Sequence, residues 1–320
     1  MCKKTKTMLI IATVLVLVGG VVFGSVMTVF KWDFKKLSTI EHETNSYVID
    51  EAYWNISIST DTADVVFAPS DDGKSSVVCY EAKNAKHTVA VKNGTLVIEL
   101  LDARKWYQHI GISFASPKIT VFVPQGEYGA LSVHSSTGNV EIPKDYKFEN
   151  IDITESTGNV TNYASASGMI KISTETGDIN TENISASALI LLVSTGKVTV
   201  SNVTCEGDIS INVTSGKTDL TDVSCENLAS DGSTGSIFLK NVVATEKFNL
   251  KRDTGNVSFE GCDAGEILVE VSTGDITGTL LTDKVFIVNS DTGKIEVPET
   301  VSGGKCKVTT DTGDIKIRIA

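Results

Sequence analysis

Clustered basic residues are the first thing that the sequence lacks. Only 28 lysines and arginines stand against 40 aspartates and glutamates in 320 residues, and the formal net charge is −12. The first thirty residues contribute +3, so the remainder carries −15. A surface that binds nucleic acid or anionic lipid needs clustered lysine and arginine side chains. The composition therefore excludes nucleic acid as a partner.

Metal-binding and catalytic spacings of cysteine and histidine are also missing. The six cysteines form no CxxC pair, and we interpret Cys262 and Cys306, which fall at inward apolar positions, as core residues. No histidine has a metal-ligand spacing or accompanies a nucleophile motif. The four histidines, which we interpret as surface residues, are His42, His87, His109 and His134. The sequence predicts no bound metal, no cofactor and no enzymatic activity.

Charged residues are absent from a run of 23 residues near the N-terminus, 8–30. At 1.5 Å per residue, a helix of this length crosses a hydrocarbon core of about 30 Å. We predict a basic cytoplasmic tail at 1–7, a transmembrane helix at 8–30 and an extracytoplasmic domain after it, because a long hydrophilic domain after one N-terminal span is usually exported. A signal peptide cleaved near Gly24 is the alternative.

A helical period of 3.6 residues is missing from the rest of the chain, which repeats every 19 or 20 residues instead. A Thr-Gly or Ser-Gly pair occurs ten times at this spacing. These ten residues, called the corner glycines below, are Gly138, Gly158, Gly177, Gly196, Gly216, Gly235, Gly255, Gly274, Gly293 and Gly313. Glycine suits a sharp turn with positive φ, and a side chain would crowd the same corner of the neighbouring repeat.

Apolar residues recur at fixed distances from each corner glycine. The second residue after the glycine is apolar in nine of ten repeats, with Thr218 the exception. The fifth residue before it is apolar in nine, with Ser230 the exception, and the seventh before it is apolar in all ten. Steps of two residues, as from Val140 to Ile142, are the period of a β-strand. The pattern predicts that residues 126–320 form a single-stranded parallel β-solenoid.

Two further positions predict the third side of each coil. An apolar slot lies about seven residues after the glycine and includes Leu281, and a small-residue slot two positions further on includes Ser167. Cys205 and Cys225 occupy the small slot one repeat apart, close enough for a disulfide. Two packed thiols are the alternative, because alanine or serine fills this slot in other repeats.

The two ends of the repeat array are irregular. We interpret residues 31–125 as a degenerate N-terminal part of the solenoid that caps it, because Thr62-Ala63-Asp64-Val65 stands where later repeats have Thr-Gly-Asp-Val. No cap is visible after the last corner glycine. Either Lys316 and Arg318 protect that edge or another chain pairs with it, so oligomerisation through the C-terminal edge is an open alternative.

Three recurring motifs carry a family resemblance. They are STGNV at 136–140 and 156–160, TGDI at 176–179 and 273–276, and DTGDI at 311–315, after an extended strand at 119–124. The chain resembles over residues 45–320 the bacterial putative-adhesin family, a group of unknown function that includes LiaG-like cell-envelope proteins. The resemblance implies a β-solenoid outside a bacterial cell membrane, without catalytic residues, and a role in adhesion or envelope stress.

One aromatic pair is the candidate for binding a partner. Trp106 and Tyr107 lie beside Arg104 and His109, and large aromatic residues next to cations are enriched at interfaces. The alternative is that both rings cover the core of the cap.

Acidic residues recur at the corners, as in Asp178, Asp275 and Asp314. Stacked carboxylates could bind calcium or act on a polysaccharide. Because lysine and asparagine hold the same position in other repeats, the mixed charges favour a solvated face instead.

Three functions are compatible with these patterns. The first is a non-enzymatic, membrane-anchored binding module whose partner is an envelope protein or a glycan. The second is a polysaccharide-acting β-helix enzyme, which should interrupt the repeat with long loops, whereas the spacing never leaves 19 or 20 residues. The third is a structural protein that polymerises end to end through its C-terminal coil.

Overall fold

The computed structural model describes residues 3–102, 113 and 115–320. The chain begins with an α-helix, α1 (Lys3–Val29), followed by a 3-10 helix at Phe34–Leu37. The most apolar window within Thr5–Val29 has a mean hydropathy of 2.6, and none of it is buried. This single N-terminal helix is long and apolar enough to cross a membrane.

All other elements of the described residues are β-strands. They are β1 (His42–Ile49), β2 (Asn55–Ser59), β3 (Asp64–Pro69), β4 (Ser75–Ala82), β5 (Ala85–Lys92), β6 (Thr95–Asp102), β7 (Lys118–Val123), β8 (Gly126–Thr137), β9 (Val140–Ile142), β10 (Tyr146–Thr157), β11 (Val160–Asn162), β12 (Ser165–Ala166), β13 (Met169–Thr176), β14 (Ile179–Ala186), β15 (Ala188–Thr195), β16 (Val198–Cys205), β17 (Ile209–Ser215), β18 (Thr218–Asp231), β19 (Ile237–Thr254), β20 (Val257–Thr273), β21 (Ile276–Leu280), β22 (Lys284–Ser290), β23 (Ile295–Glu296), β24 (Gly304–Thr312) and β25 (Ile315–Ile319).

Strands of the regular part pair in parallel and in register with strands one repeat away. Ile151 of β10 lies between Leu131 of β8 and Ile170 of β13. In the same way β11 lies between β9 and β14, on the other side of the corner. Each repeat therefore forms one coil of a stack, and the predicted parallel β-solenoid is confirmed.

The corner glycines stack directly on one another. Nine of the ten have φ between 122° and 155°, a region that residues with a side chain rarely adopt. A Cβ atom at Gly216 would lie only 1.8 Å from the carbonyl oxygen of Gly196 in the adjacent coil. Gly293, whose φ is not positive, would still bring a Cβ within 1.7 Å of the Gly313 carbonyl oxygen. The close stacking excludes a side chain at these corners.

The interior is a continuous apolar core built from the inward ladders. Leu131, Ile153 and Val257 are at most 1% exposed, as are most residues at their repeat positions. Thr218 and Ser230, the polar exceptions, are equally buried.

Two residues of the third side were placed wrongly by the repeat. Leu281 is 48% exposed, and Leu280 lies opposite Cys262 instead because the register between β20 and β21 shifts there. Ser167 is exposed, and Ala166 fills the small slot where β12 pairs with β10.

The first coils are stacked in a different order from their order in the chain. β2 pairs with both β6 and β8, and β3 pairs with both β7 and β9. Ala63 takes the place of a glycine at this corner, where a Cβ on Gly138 would lie 2.4 Å from the Ala63 carbonyl oxygen. The coil of β6 and β7 is therefore the outermost one at this end.

Antiparallel strands cover that outermost coil. β4 pairs antiparallel with β7, β1 pairs with β4, and β5 pairs with β6. Ile98 in β6 and Ile119 in β7 are consequently 0% exposed. We call β1, β4 and β5 the antiparallel cap.

The last two repeats also exchange their spatial order. Cys306 of β24 lies between Ile267 of β20 and Phe286 of β22, and β25 lies between β21 and β23. The coil that contains Gly313 is therefore inside the coil that contains Gly293.

The expectation that the last coil of the sequence forms an open edge was wrong for most of that coil, since β24 and residues 315–316 of β25 are paired on both sides, whereas residues 317–319 pair with β21 alone. The open edge is formed by β22 and β23. For this reason Val288, predicted to point fully inward, is only partly buried, as is Phe286, and Ile295 is 42% exposed.

Candidate functional site

Polar side chains that follow the corner glycines fasten each coil to the next. The backbone N–H of Asp178 donates to Asn159 Oδ1 at 2.8 Å, and Asp178 Oδ1 accepts from the Lys197 N–H at 2.7 Å. The Asp314 N–H donates in the same way to Asp275 Oδ1 at 2.8 Å. Because these carboxylates accept backbone hydrogen bonds, their recurrence has a structural cause.

A second corner, missed in the sequence, lies six residues after five of the corner glycines. Its residues have φ between 51° and 62°, which asparagine, aspartate and glycine tolerate best. They are Asn183, Asn202, Asp222, Asn241 and Gly261. The asparagine and aspartate side chains also form hydrogen bonds between coils, from Asn202 Nδ2 to Asn183 Oδ1 at 2.7 Å and from Asn241 Nδ2 to Asp222 Oδ1 at 2.8 Å. The recurrence of these residue types at one repeat position was the available signal.

Arg252 places a cation inside the solenoid, three residues before a corner glycine. It is 2% exposed, and Nη2 donates to Thr218 Oγ1 at 2.9 Å and to Ser230 Oγ at 3.3 Å. Gly232 leaves room for it, because a Cβ there would lie 3.0 Å from Nη1. Burial lowers the pKa of Arg252 to about 10, so it is charged at neutral pH. The two polar exceptions in the apolar ladders are therefore its hydrogen-bond partners.

Glu155 holds the same repeat position in an earlier coil and is 1% exposed. It lies between Ser135 and Thr174 of the adjacent coils, and neither carboxylate oxygen has a hydrogen-bond partner among the described residues. Burial raises the pKa of Glu155 to about 7. The nearby Ser135 hydroxyl, which donates to the Thr137 carbonyl oxygen at 3.4 Å, opposes this shift only in part.

The cysteines pack as small apolar residues. Cys205 and Cys225 are free thiols in the small slot and are 4% exposed, while Cys262 and Cys306 are 0% exposed. Burial raises the pKa of both Cys225 and Cys306 to about 12. Thiols held protonated in this way are poor nucleophiles.

The aromatic pair and three of the histidines have different outcomes. Trp106, Tyr107 and His109 lie outside the described residues. The interface role of the aromatic pair and the surface position of His109 therefore stay predictions. His134 is exposed, as predicted. His87 is only 4% exposed, so its interpretation as a surface residue was wrong, because β5 folds back over the end of the solenoid.

Among the described residues of the solenoid's first coils, Trp54 is the most exposed aromatic ring. It lies directly before β2 and is 53% exposed. Its carbonyl oxygen accepts from the Gly129 N–H at 2.9 Å, and Asn55 Oδ1 accepts from the Ala130 N–H at 2.8 Å. A Cβ on Gly129 would lie 2.2 Å from Trp54 Cδ1, so this glycine makes room for the indole. The backbone at Trp54 is thus tied to the next coil, and the indole lies over Gly129 with about half of its surface in solvent.

Trp54 lines a groove of about 360 Å³, called the Trp54 groove below. Tyr128 and Phe148 form its floor, with their ring centroids 5.8 Å apart. Carboxylates, an ammonium group and hydroxyls line the rest. The polar lining residues are Glu127, Lys147, Glu149, Ser165, Ser167 and Ser185.

The groove runs along the stacking direction of the coils. Its lining comes from Trp54 before β2 and from β8, β10, β12 with the residue after it, and β14, which are stacked in that order. Four spacings of ~4.8 Å make it about 19 Å long. The sequence did not reveal it, because Trp54 lies outside the repeat pattern and its partners are far apart in the chain.

A family comparison accounts for nearly all of the chain after the helix. The model of the Toastrack DUF4097 family matches residues 53–212 and 206–320. The chain belongs to this family. All ten corner glycines and the Trp54 groove lie within the Toastrack matches, and the resemblance drawn from the repeated motifs is confirmed.

Solved structures with similar folds cover most of the Toastrack chain. A putative lipid binding protein from Parabacteroides distasonis ATCC 8503 is 16% identical and has a TM-score of 0.52, with 88% of this chain and 98% of that chain covered. A putative adhesin from the same strain is 13% identical, with a TM-score of 0.46 and coverage of 85% and 98%. A putative adhesin from Bacteroides fragilis NCTC 9343 is 15% identical, with a TM-score of 0.37 and coverage of 87% and 97%. No curated protein matches the sequence.

Proposed function

We propose that this chain is a non-enzymatic, membrane-anchored module of the bacterial envelope that binds an extended glycan in the Trp54 groove. The observation that carries the proposal is the exposed indole, fixed over a groove that also presents carboxylates and hydroxyls. Helix α1 supplies the anchor, and the long hydrophilic domain after this one N-terminal span favours a cytoplasmic N-terminus and an extracytoplasmic solenoid, because such a domain is usually exported.

The chemistry of the groove matches a sugar chain. The C–H groups on one face of a sugar ring carry partial positive charge and stack on the negative face of an indole. Glu127 and Glu149 can accept hydrogen bonds from sugar hydroxyls, and the serine hydroxyls can donate or accept. A groove about 19 Å long, lined by successive coils, fits several linked sugars better than one small molecule.

The solenoid itself supports a binding role over catalysis. Enzymes on rigid scaffolds usually place acid and base residues on inserted loops. The coils between residues 126 and 320 keep their 19 or 20-residue spacing, and their recurring carboxylates accept backbone hydrogen bonds.

A glycan array and sedimentation with purified peptidoglycan sacculi test the proposal on the full chain in detergent. We expect binding to at least one polysaccharide, and Trp54→Ala should weaken it by about tenfold or more, as loss of a central aromatic contact does. Phe238→Ala is the matched control, because Phe238 is also an exposed ring, 37% exposed, on a distant coil.

Equal binding by wild type and Trp54→Ala would refute the groove as the site. The double variant Trp106→Ala/Tyr107→Ala then decides whether that aromatic pair binds instead. If no polysaccharide binds but an envelope protein is retained through either surface, the glycan part of the proposal is wrong.

A further inference from the structure

Three potential metal ligands meet inside the antiparallel cap. Cys79 and Glu81 are two residues apart on β4 and so face the same side, and the turn to β5 brings His87 next to them. The thiol sulfur, a carboxylate oxygen and an imidazole nitrogen all lie within 4.8 Å of one another. The three residues are 0%, 1% and 4% exposed.

Other residues hold these ligands from behind. His87 Nδ1 lies 2.6 Å from Glu81 Oε2, while its other ring nitrogen, Nε2, lies 2.9 Å from Thr60 Oγ1. Asn45 Nδ2 donates to Glu81 Oε1 at 2.7 Å. A histidine that binds a metal usually has its second nitrogen bonded to an oxygen, which fixes the ring and the tautomer. Thr60 and Asn45 therefore occupy the places of outer partners, and Glu81 Oε2 lies 2.6 Å both from Nδ1 and from the backbone nitrogen of His87, which donates to it.

We propose that Cys79, Glu81 and His87 bind one zinc ion that ties β4 to β5. A thiolate, a carboxylate and a neutral imidazole balance the double charge of the ion, and all three ligand types are those zinc uses. Calcium and magnesium prefer oxygen ligands alone, so a sulfur and a nitrogen disfavour them.

Binding requires ligand atoms that lie between 2.6 Å and at most 4.8 Å apart to move to one common spacing. Ligand atoms of a tetrahedral zinc site, with metal distances of about 2.0–2.3 Å, lie roughly 3.3–3.6 Å apart. Nδ1 and Oε2 must therefore separate by about 0.7 Å from their hydrogen-bonded distance, and a water completes the four ligands. On binding, the sulfur, Nδ1 and Oε2 each form one bond to the ion, while the thiol proton and the proton between Nδ1 and Oε2 pass to solvent; the imidazole stays neutral with its remaining proton on Nε2, which donates to Thr60 Oγ1.

A hydrogen-bonded cluster without a metal is the alternative, and thiolate coordination distinguishes the two. The full chain is produced with zinc or with cobalt in the growth medium, because the site is closed to solvent in the folded protein. It is then purified in detergent and dialysed. We expect about one metal per chain, and the cobalt form should show a sulfur-to-cobalt charge-transfer band in the near ultraviolet together with the visible bands of tetrahedral cobalt.

Variants locate the ligand. Cys79→Ser should abolish the charge-transfer band and lower the retained metal by about tenfold or more, and His87→Gln should lower the retained metal similarly. Cys205→Ala removes another buried thiol and should leave the charge-transfer band and the amount of retained metal unchanged. Circular dichroism checks that each variant is folded.

Wild-type protein without stoichiometric metal overturns the proposal, whatever the variants do. A charge-transfer band that persists in Cys79→Ser also overturns it, because the sulfur ligand would then come from another cysteine.

Discussion

The two ends of the solenoid share one change in strand order but are finished differently. At the N-terminal end β2 and β3 lie between two coils that come later in the chain, and at the C-terminal end β24 and β25 lie between two coils that come earlier. The antiparallel cap covers the first end, whereas no strand among the described residues covers β22 and β23. Two isoleucines of outermost coils show the result, since Ile98 is 0% exposed and Ile295 is 42% exposed.

Burial in this solenoid therefore depends on the presence of neighbouring coils more than on repeat position. Stability of a stacked repeat is approximately a sum of interfaces between adjacent coils, so an uncovered end coil has only one. The open end carries features that discourage pairing with another chain. β23 is only two residues long, and Glu296 in it pairs with Lys316 at 2.9 Å.

The largest expected effect is the difference in stability loss between a substitution at an interior corner and the same substitution at the open end. Gly216→Val should lower the free energy of unfolding by more than about 4 kcal/mol, because it combines an unfavourable φ with a clash against the adjacent coil. Gly293→Val should lower it by roughly half as much or less, since its φ is not positive and its coil has one neighbour. Urea denaturation followed by circular dichroism measures both, and equal losses would show that the open end is as constrained as the interior.

Three isoleucines test the order of the coils. Ile98→Ala and Ile315→Ala should each lower the free energy of unfolding by about 3–4 kcal/mol, because both side chains are 0% exposed. Ile295→Ala should cost less than about 1 kcal/mol. If the coils followed the chain order, Ile315 would lie at the edge and Ile295 inside. Chemical denaturation would then rank these two variants in reverse.

Buried charges give the two halves of the solenoid different pH responses. The folded-state pKa of Glu155, about 7, exceeds its ordinary value of 4.5, so the folded protein binds more protons between these values. The contribution of Glu155 to the free energy of unfolding therefore falls by roughly 2–3 kcal/mol as the pH rises from 4.5 to 7, and it stays low above pH 7.

Glu155→Val should remove this loss of stability with rising pH, because valine does not titrate. The position can accept valine, which stands there in other coils. The change in the urea unfolding midpoint between pH 5 and pH 8, compared between the variant and the wild type, measures this effect. Arg252→Met should keep the wild-type pH slope, since the Arg252 side chain is charged throughout this range. A wild-type slope in Glu155→Val contradicts the assignment.

The smallest expected effect is a difference in local opening. Amide protons of β22 should exchange with solvent at least about tenfold faster than those of β24, because β22 is paired on one side and β24 on both. Hydrogen exchange read by mass spectrometry of peptides distinguishes the two strands. Slower exchange in β22 than in β24 would reverse the proposed positions.

The sequence was sufficient to predict the structure of each coil, but not the order in which the coils stack. Every corner glycine has the same clash with its neighbour, so the position is fixed repeat by repeat. The spacing from Gly274 to Gly293 is 19 residues and that from Gly274 to Gly313 is 39, which is two repeats. Both leave the ladders in register, so periodicity cannot decide which coil packs next to Gly274.

The candidate sites were harder to find for a related reason. Trp54 and its groove partners come from segments with no shared period, and the cap ligands depend on an antiparallel pairing of β4 and β5 that the repeat does not contain. Arg252 was detectable in principle, because Thr218 and Ser230 interrupt ladders that are otherwise apolar.

The inserted C-terminal coil has a consequence for the making of the protein. Synthesis runs from the N-terminus, so β22 and β23 emerge before β24 and β25, the strands on which they finally pack. Until then β22 and β23 must remain unpaired or occupy β20 and β21 and later give way. In the second case the final arrangement requires β24 and β25 to displace strands that are already paired, which makes the insertion of this coil a late step of folding.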